Sequence, residues 1–191
     1  IAKKEVLVLF TINILTFIIL YGSYLTYFPY IMKNRFDSPS YMIGLVMSAA
    51  SITTAITSSF LGKMVKFYSP PDLLKRAYPF YIISMLIVPF LDAEWMMFIS
   101  AFFFGLAQGV NIPNIQTMLV GMAPTNYRAA FMSLNGMVLR IGQTLGPLVA
   151  GLFFTIGKVK AVFFGGAMVA LIMIALVIFG IKKQYGRDKR S

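Results

Sequence analysis

The sequence predicts an all-α integral membrane protein, a bundle of six transmembrane helices. Three observations carry that expectation. The 191 residues are 59% hydrophobic and 12% charged, with a mean hydropathy of +0.80, against about 25% charged for an average soluble domain. The apolar residues fall in runs of about 20, long enough to cross about 30 Å of hydrocarbon as helix. Short polar loops separate those runs.

In chain order, hydropathy places helix A at 6–32, B at 41–61, C at 77–91, D at 95–120, E at 129–156 and F at 161–181, all in one domain spanning 1–191. The first run is too long for a signal-peptide core, so no cleavable targeting segment is expected. The start at Ile1, without an initiator Met, points to a piece of something longer. Pro29 near the end of A and Pro113 in the later part of D each remove a backbone hydrogen bond, which predicts kinks there. A and D open successive three-helix units, so the match points to an internal 3+3 repeat.

The net charge of +11 is distributed in clusters between apolar runs rather than along one soluble face, which argues against nucleic-acid binding. One side of the membrane collects Lys3, Lys4, Lys63, Lys66, Lys75, Arg76, Arg128, Lys182, Lys183, Arg187, Lys189 and Arg190. The other collects only Lys33, Arg35, Lys158 and Lys160, together with Asp37, Asp92 and Glu94. The positive-inside rule then predicts a multi-pass protein of the inner (plasma) membrane with both termini cytoplasmic.

Cysteine and histidine are absent, so thiolate or imidazole metal sites and every nucleophile-base pair built on them are excluded. No paired aspartates sit at membrane depth, no cofactor motif is visible, and an enzyme is not expected.

F carries almost nothing polar between Lys160 and Lys182, and C little beyond Ser84, so both are expected to stand outermost. A, B, D and E differ. A has Asn13, Thr16, Tyr21 and Tyr24; B has Ser48, Ser51, Thr54 and Ser58; D has Gln108, Asn111, Asn114 and Gln116. The hydroxyls of B are expected to act chiefly as interhelical glue. The amides Gln108, Asn111, Asn114 and Gln143 suit either glue or the wall of a wet cavity. Trp95 and the tyrosines near helix ends read as interfacial anchors, with Tyr21 and Tyr24 closer to the interior.

In E, Ser133, Gly136, Arg140, Gln143, Thr144 and Pro147 recur at spacings of three and four and share a stripe. Arg140 stands about eleven residues into E, or about 16 Å. A charge at that depth costs at least about 2.5 to 3.5 kcal/mol, so it is expected to face the interior and to have a partner. All six acids, Glu5, Asp37, Asp72, Asp92, Glu94 and Asp188, lie in loops or tails. Three partners therefore remain: carbonyls freed by kinks, an acid from a missing half, or an anionic group on a substrate. Gly142, Gly146, Pro147 and Gly151 offer close helix packing, or alternatively a hinge or gate.

These residues carry a resemblance. Gly142-x-x-x-Gly146-Pro147-x-x-Ala150-Gly151 resembles the antiporter motif of the major facilitator superfamily, with Ala150 in place of a glycine. Gly62-Lys63-Met64-Val65-Lys66 resembles the family's loop motif, with Lys66 at the position of its acid and the later Gly-Arg pair missing. Gln108-Gly109 resembles part of the fourth-helix motif, with Gly105 where an arginine involved in proton coupling would stand. These departures suit the second half of the family fold, helices seven to twelve. Together with Arg128 before helix E and Arg140-x-Gly142-Gln143, the pattern is most similar to drug:proton antiporter-like members.

The resemblance implies half of a 3+3 inverted-repeat fold, lined by A, B, D and E. It implies an N-terminal six-helix half as partner, a small organic substrate and protons as coupling ion. Efflux by alternating access is the leading expectation. Uptake of an anionic metabolite is the alternative within transporters, and a self-associating, non-transporting six-helix protein is the alternative outside them. The expected path residues are Asn13, Tyr21, Tyr24, Gln108, Asn111, Asn114, Arg140, Gln143 and Thr144.

Overall fold

A computed structural model describes residues 2–181. The terminal basic cluster of Lys182, Lys183, Arg187, Lys189 and Arg190, together with Asp188, lies outside the described residues. Among the described residues there is helix and no strand. Helix α1 (Ala2–Ile18) continues as a π-helical run (Ile19–Tyr27) into α2 (Phe28–Phe36), followed by α3 (Ser40–Phe67), α4 (Pro70–Ile87), α5 (Met97–Met122) and α6 (Arg128–Gly180). Among the described residues, five helical stretches are long and apolar enough to cross a membrane.

The last stretch covers two of the expected spans. Its helical backbone breaks at Gly157 (φ −146°, ψ 29°) and Lys158 (φ 53°, ψ −150°), dividing it into arms at 128–156 and 159–180. The arms fold back on each other, because a Cβ at Gly165 would lie 2.7 Å from the Phe153 ring. An uninterrupted helix would hold those two residues about 18 Å apart.

The other boundaries shift for identifiable reasons. Helix C, expected from 77, begins at Pro70, because Ser69 caps it: the Ser69 Oγ accepts from the Asp72 N–H at 3.4 Å, and prolines occupy the first helical positions. Hydropathy tracks the apolar span, whereas the helix itself extends into polar flanks. A and B likewise run on to Phe36 and Phe67.

The two prolines act differently. Pro29 sits just after the π-helical run, where the Thr26 hydroxyl donates to the Tyr21 carbonyl five residues back at 2.6 Å. A wide turn thus precedes the ring that lacks an N–H. α5, by contrast, stays α-helical through Pro113. The Gly109 carbonyl, four residues before that proline, accepts instead from the Ser58 hydroxyl of α3 at 3.0 Å.

α3 lies along α5, α4 packs between α5 and the second arm of α6, and α1 runs beside both arms of α6. The buried core comes from α1 and its continuation into α2, from α4 and α5, and from the inner face of α6, including Tyr78, Tyr81, Phe28 and Phe163. α3 is the least enclosed span, and α6 keeps a long exposed face on its first arm. α4 therefore carries more buried polarity than its expected outer position implied. Ser84 exchanges hydrogen bonds with the Ser100 backbone and hydroxyl at 2.9 and 3.0 Å, and the hydroxyls of Tyr78 and Tyr81 are bonded inside the bundle. Tyr78 and Tyr81 are core residues, whereas Trp95 is 62% exposed at the start of α5's span.

At one end of the bundle Arg35 clasps two turns together, donating to the Pro89 carbonyl at 3.0 Å and to Asp92 at 3.1 Å. Beside it Lys33 donates to Asp37 at 2.7 Å, and that hydrogen bond, with the lysine charge, holds the Asp37 carboxyl below its ordinary value.

The positive φ of Lys158 suits glycine better than a side chain bearing a Cβ. Lys158→Gly is expected to stabilise the protein by about 1 kcal/mol, and Lys158→Val to destabilise it. Thermal unfolding in detergent measures both, and a lower midpoint for the glycine variant would contradict the assignment of strain.

Candidate translocation site

The intramembrane polar residues divide into an interior network and an outward ridge. In the interior, α5 presents Gln108 and Asn111 on one face, at a spacing of three. Asn111 Nδ2 donates to the Thr16 hydroxyl of α1 at 2.8 Å, while its Oδ1 accepts from the Tyr78 hydroxyl of α4 at 3.0 Å. The Tyr81 hydroxyl donates to Gln108 Oε1, and Asn111 Nδ2 also reaches that hydroxyl at 3.5 Å. These five residues tie α1, α4 and α5 together, and all of them are buried.

Two more amides bridge elements. Asn13 Nδ2 donates to Asn135 Oδ1 of α6 at 2.7 Å, and Asn114 Nδ2 donates to the Pro70 carbonyl at the start of α4 at 2.8 Å. Tyr24 is buried, its ring stacked 3.9 Å from that of Phe104, whereas Tyr21 is half-buried beside Phe17. The interior amides are engaged with other helices of this chain.

Arg140, Gln143 and Thr144 lie elsewhere. Arg140 and Thr144 are exposed on the first arm of α6, Gln143 is half-buried, and Arg140 Nη1 donates to Gln143 Oε1 at 3.0 Å. No acid pairs with Arg140 among the described residues, and each described acid lies within about a turn of an element's end. Arg140 is therefore exposed on this chain rather than buried among its helices. Met137 and Ile141, its neighbours along the helix, are exposed as well.

The helical period explains the split. Asn135, Val138, Gly142, Gly146 and Ala150 form the buried stripe of that arm, while Ser133, Gly136, Arg140, Thr144 and Pro147 form the exposed one. Gly142 and Gly146 thus belong with α1, but Pro147 faces outward and Gly151 is half-buried with open space beside it. The crossing with α1 has no room for side chains. A Cβ at Gly22 would lie 2.5 Å from the Gly146 carbonyl oxygen, and one at Gly142 would lie 2.7 Å from the Ile14 carbonyl oxygen.

A similar crossing explains Gly105, where a Cβ would meet the Ala50 carbonyl and Thr53 at 2.6 Å. α3 occupies the space that an arginine at that position would need. Thr54 instead donates to the Gly105 carbonyl at 3.3 Å, so Thr54 and Ser58 act as the glue expected of helix B.

Asn135, Tyr78 and Tyr81 were not among the expected path residues. Asn135 carried a signal, since it falls on the Gly142 and Gly146 stripe. The two tyrosines were masked by the general preference of that residue for membrane interfaces.

A bundle of long apolar helices agrees with the comparisons. The Major Facilitator Superfamily model matches residues 9–191, and the chain belongs to that family of transporters. The chain is 26% identical over 132 residues, 69% of its length, to the Multidrug resistance protein MdtG of Enterobacter lignolyticus (strain SCF1). It is 22% identical over 181 residues, 92% of its length, to the Multi-drug resistance efflux pump PmrA homolog of Lactococcus lactis subsp. lactis (strain IL1403). The matches cover 32% and 45% of those two relatives.

Asn111→Leu leaves Thr16 and Tyr78 without their buried partner and is expected to cost about 1–3 kcal/mol. Unfolding by denaturing detergent would register the loss, and a wild-type unfolding curve would remove the network from the stability of the bundle. Gly146→Leu drives a side chain into the Gly22 backbone and is expected to cost about 3 kcal/mol or to prevent α1 from docking. Crosslinking between cysteines placed in α1 and α6 reads that docking directly, and wild-type crosslinking yield would count against a tight crossing.

Proposed function

We propose that this chain is one six-helix half, a single domain over residues 1–191, of a secondary transporter that works by alternating access against an N-terminal six-helix half. The observation that carries this reading is the exposure of Arg140 and Thr144, beside the half-buried Gln143, on a membrane-spanning arm. A mid-membrane guanidinium turned away from its own bundle needs a polar environment supplied from outside the chain. A second half and a water-filled path between the halves would provide it. The matches to only 32% and 45% of the two relatives support the same division.

The leading substrate reading is proton-coupled efflux of a small organic molecule, supported by the printed names of the multidrug relatives. The proton-accepting acid of this reading belongs to the other half, supported by the described acids lying near the ends of their elements, and Gly105 leaves no room for a coupling arginine. Uptake of an anionic metabolite is the second reading, favoured by Arg140 as the charge at mid-span among the described residues. In either case Arg140, Gln143 and Thr144 touch the path. Gln108, Asn111, Asn114, Asn13 and Tyr24 hold the wall behind it, and Tyr21 lies at its edge. The reading is of a non-enzymatic carrier with both termini on the cytoplasmic side of the inner membrane. The 3+3 inverted repeat belongs to this proposal and rests on the sequence positions of Pro29 and Pro113 late in the first and fourth spans.

Arg140→Ala in the transporter carrying this chain, reconstituted in vesicles, is expected to lower transport at least tenfold with membrane insertion unchanged. Arg140→Lys, which keeps the charge but loses the planar fork, is expected to fall between the two. Wild-type transport by the alanine variant would remove Arg140 from the path. A rate indifferent to collapse of the proton gradient would reject proton coupling while leaving the carrier reading intact.

A further inference from the structure

We propose that the turn between α3 and α4 is a binding site for the headgroup of an anionic phospholipid. The last turns of α3 carry Lys63 and Lys66, both exposed, and the first turns of α4 carry Lys75 and Arg76. The acid within this cluster is Asp72, which already accepts from the Ser69 hydroxyl at 2.6 Å and pairs with Lys75 at 3.5 Å. No ion pair joins Lys63, Lys66 or Arg76 to an acid among the described residues. Three cations at the rim of a membrane bundle are thus available to an external anion.

Aromatic contacts fix two of the three. The Arg76 guanidinium lies 4.1 Å over the centre of the Tyr68 ring, and Lys63 Nζ lies 5.4 Å over that of Phe60. Tyr68 is two residues beyond Lys66, so its ring connects the cation of α4 to those of α3. Preorganised cations lose less side-chain freedom on meeting a phosphate.

The apolar neighbours favour a lipid over a soluble anion. Phe67 is 77% exposed and Tyr68 40%, and Val65 and Phe60 are exposed as well. Large apolar side chains beside lysines match the boundary between acyl chains and headgroups, where the aliphatic stem stays in hydrocarbon and the ammonium reaches phosphate. A free phosphate in water would leave those rings uncovered.

The test uses the membrane protein that carries this chain, purified with phosphatidylcholine and graded phosphatidylglycerol, the retained lipids being counted by native mass spectrometry. Lys63→Gln, Lys66→Gln and Arg76→Gln are each expected to weaken phosphatidylglycerol retention about fivefold. Tyr68→Leu, which keeps every charge, is expected to weaken it as well, because Arg76 loses its support. Lys33→Gln and Lys160→Gln, which lie in other turns, serve as controls and should leave retention unchanged. Full retention in the single Arg76 and Tyr68 variants, or equal losses in the two controls, would overturn the site. Displacement of phosphatidylglycerol by millimolar inorganic phosphate would overturn its assignment to a lipid.

Discussion

A helix in hydrocarbon must hand every backbone carbonyl to a donor, and where a proline removes its own donor here a neighbouring helix supplies one from almost backbone contact. Pro113 withdraws the amide that the Gly109 carbonyl would have used, and Ser58 of α3 fills the gap. That repair is possible only because Gly105 and Gly109 present no side chain to α3. The glycines set the distance and the hydroxyls exploit it. The crossing of α1 and α6 follows the same logic with Gly22 and Gly146, to which Asn13 and Asn135 add an amide pair.

The bundle consequently has an inner and an outer polarity with separate tasks. The inner set around Asn111 is saturated by Thr16, Tyr78, Tyr81 and Gln108 and joins three helices into a single unit. Buried networks of this kind cost much when broken and little when complete, which suits them to holding a shape. Among the described residues the outer set along α6 gives Arg140 a side-chain partner in Gln143 alone, and so keeps most of its donors for whatever faces it. A carrier needs both, a wall that keeps its form and a surface that meets cargo or the opposing half.

Much of this was legible in the sequence. Apolar runs, breaks and the positions of Pro29 and Pro113 located the helical segments, and the three-and-four spacing in E isolated the ridge. The direction that ridge faces was not legible, because the stripe through Asn135 and Gly146 is equally periodic, and spacing alone does not say which stripe the remaining helices cover. Asn111 was ambiguous for a related reason: an amide suits a wet cavity or a tyrosine partner, and Tyr78 resembled an interfacial anchor. The onset of α4 was missed although Ser69, Pro70, Pro71 and Asp72 spell a helix start, since hydropathy weighs only apolarity.

The wide π-helical coil at Ile19–Tyr27 carries a counting rule for the first span. A single-residue deletion beyond it, in the ordinary α-helical turns of α2 before Arg35, would swing everything that follows by about 100° around the axis. Arg35 would then leave Pro89 and Asp92 while Gly22 stayed pinned against Gly146. The number of residues between that pin and that clasp is accordingly as constrained as their identity, even where the intervening side chains touch little.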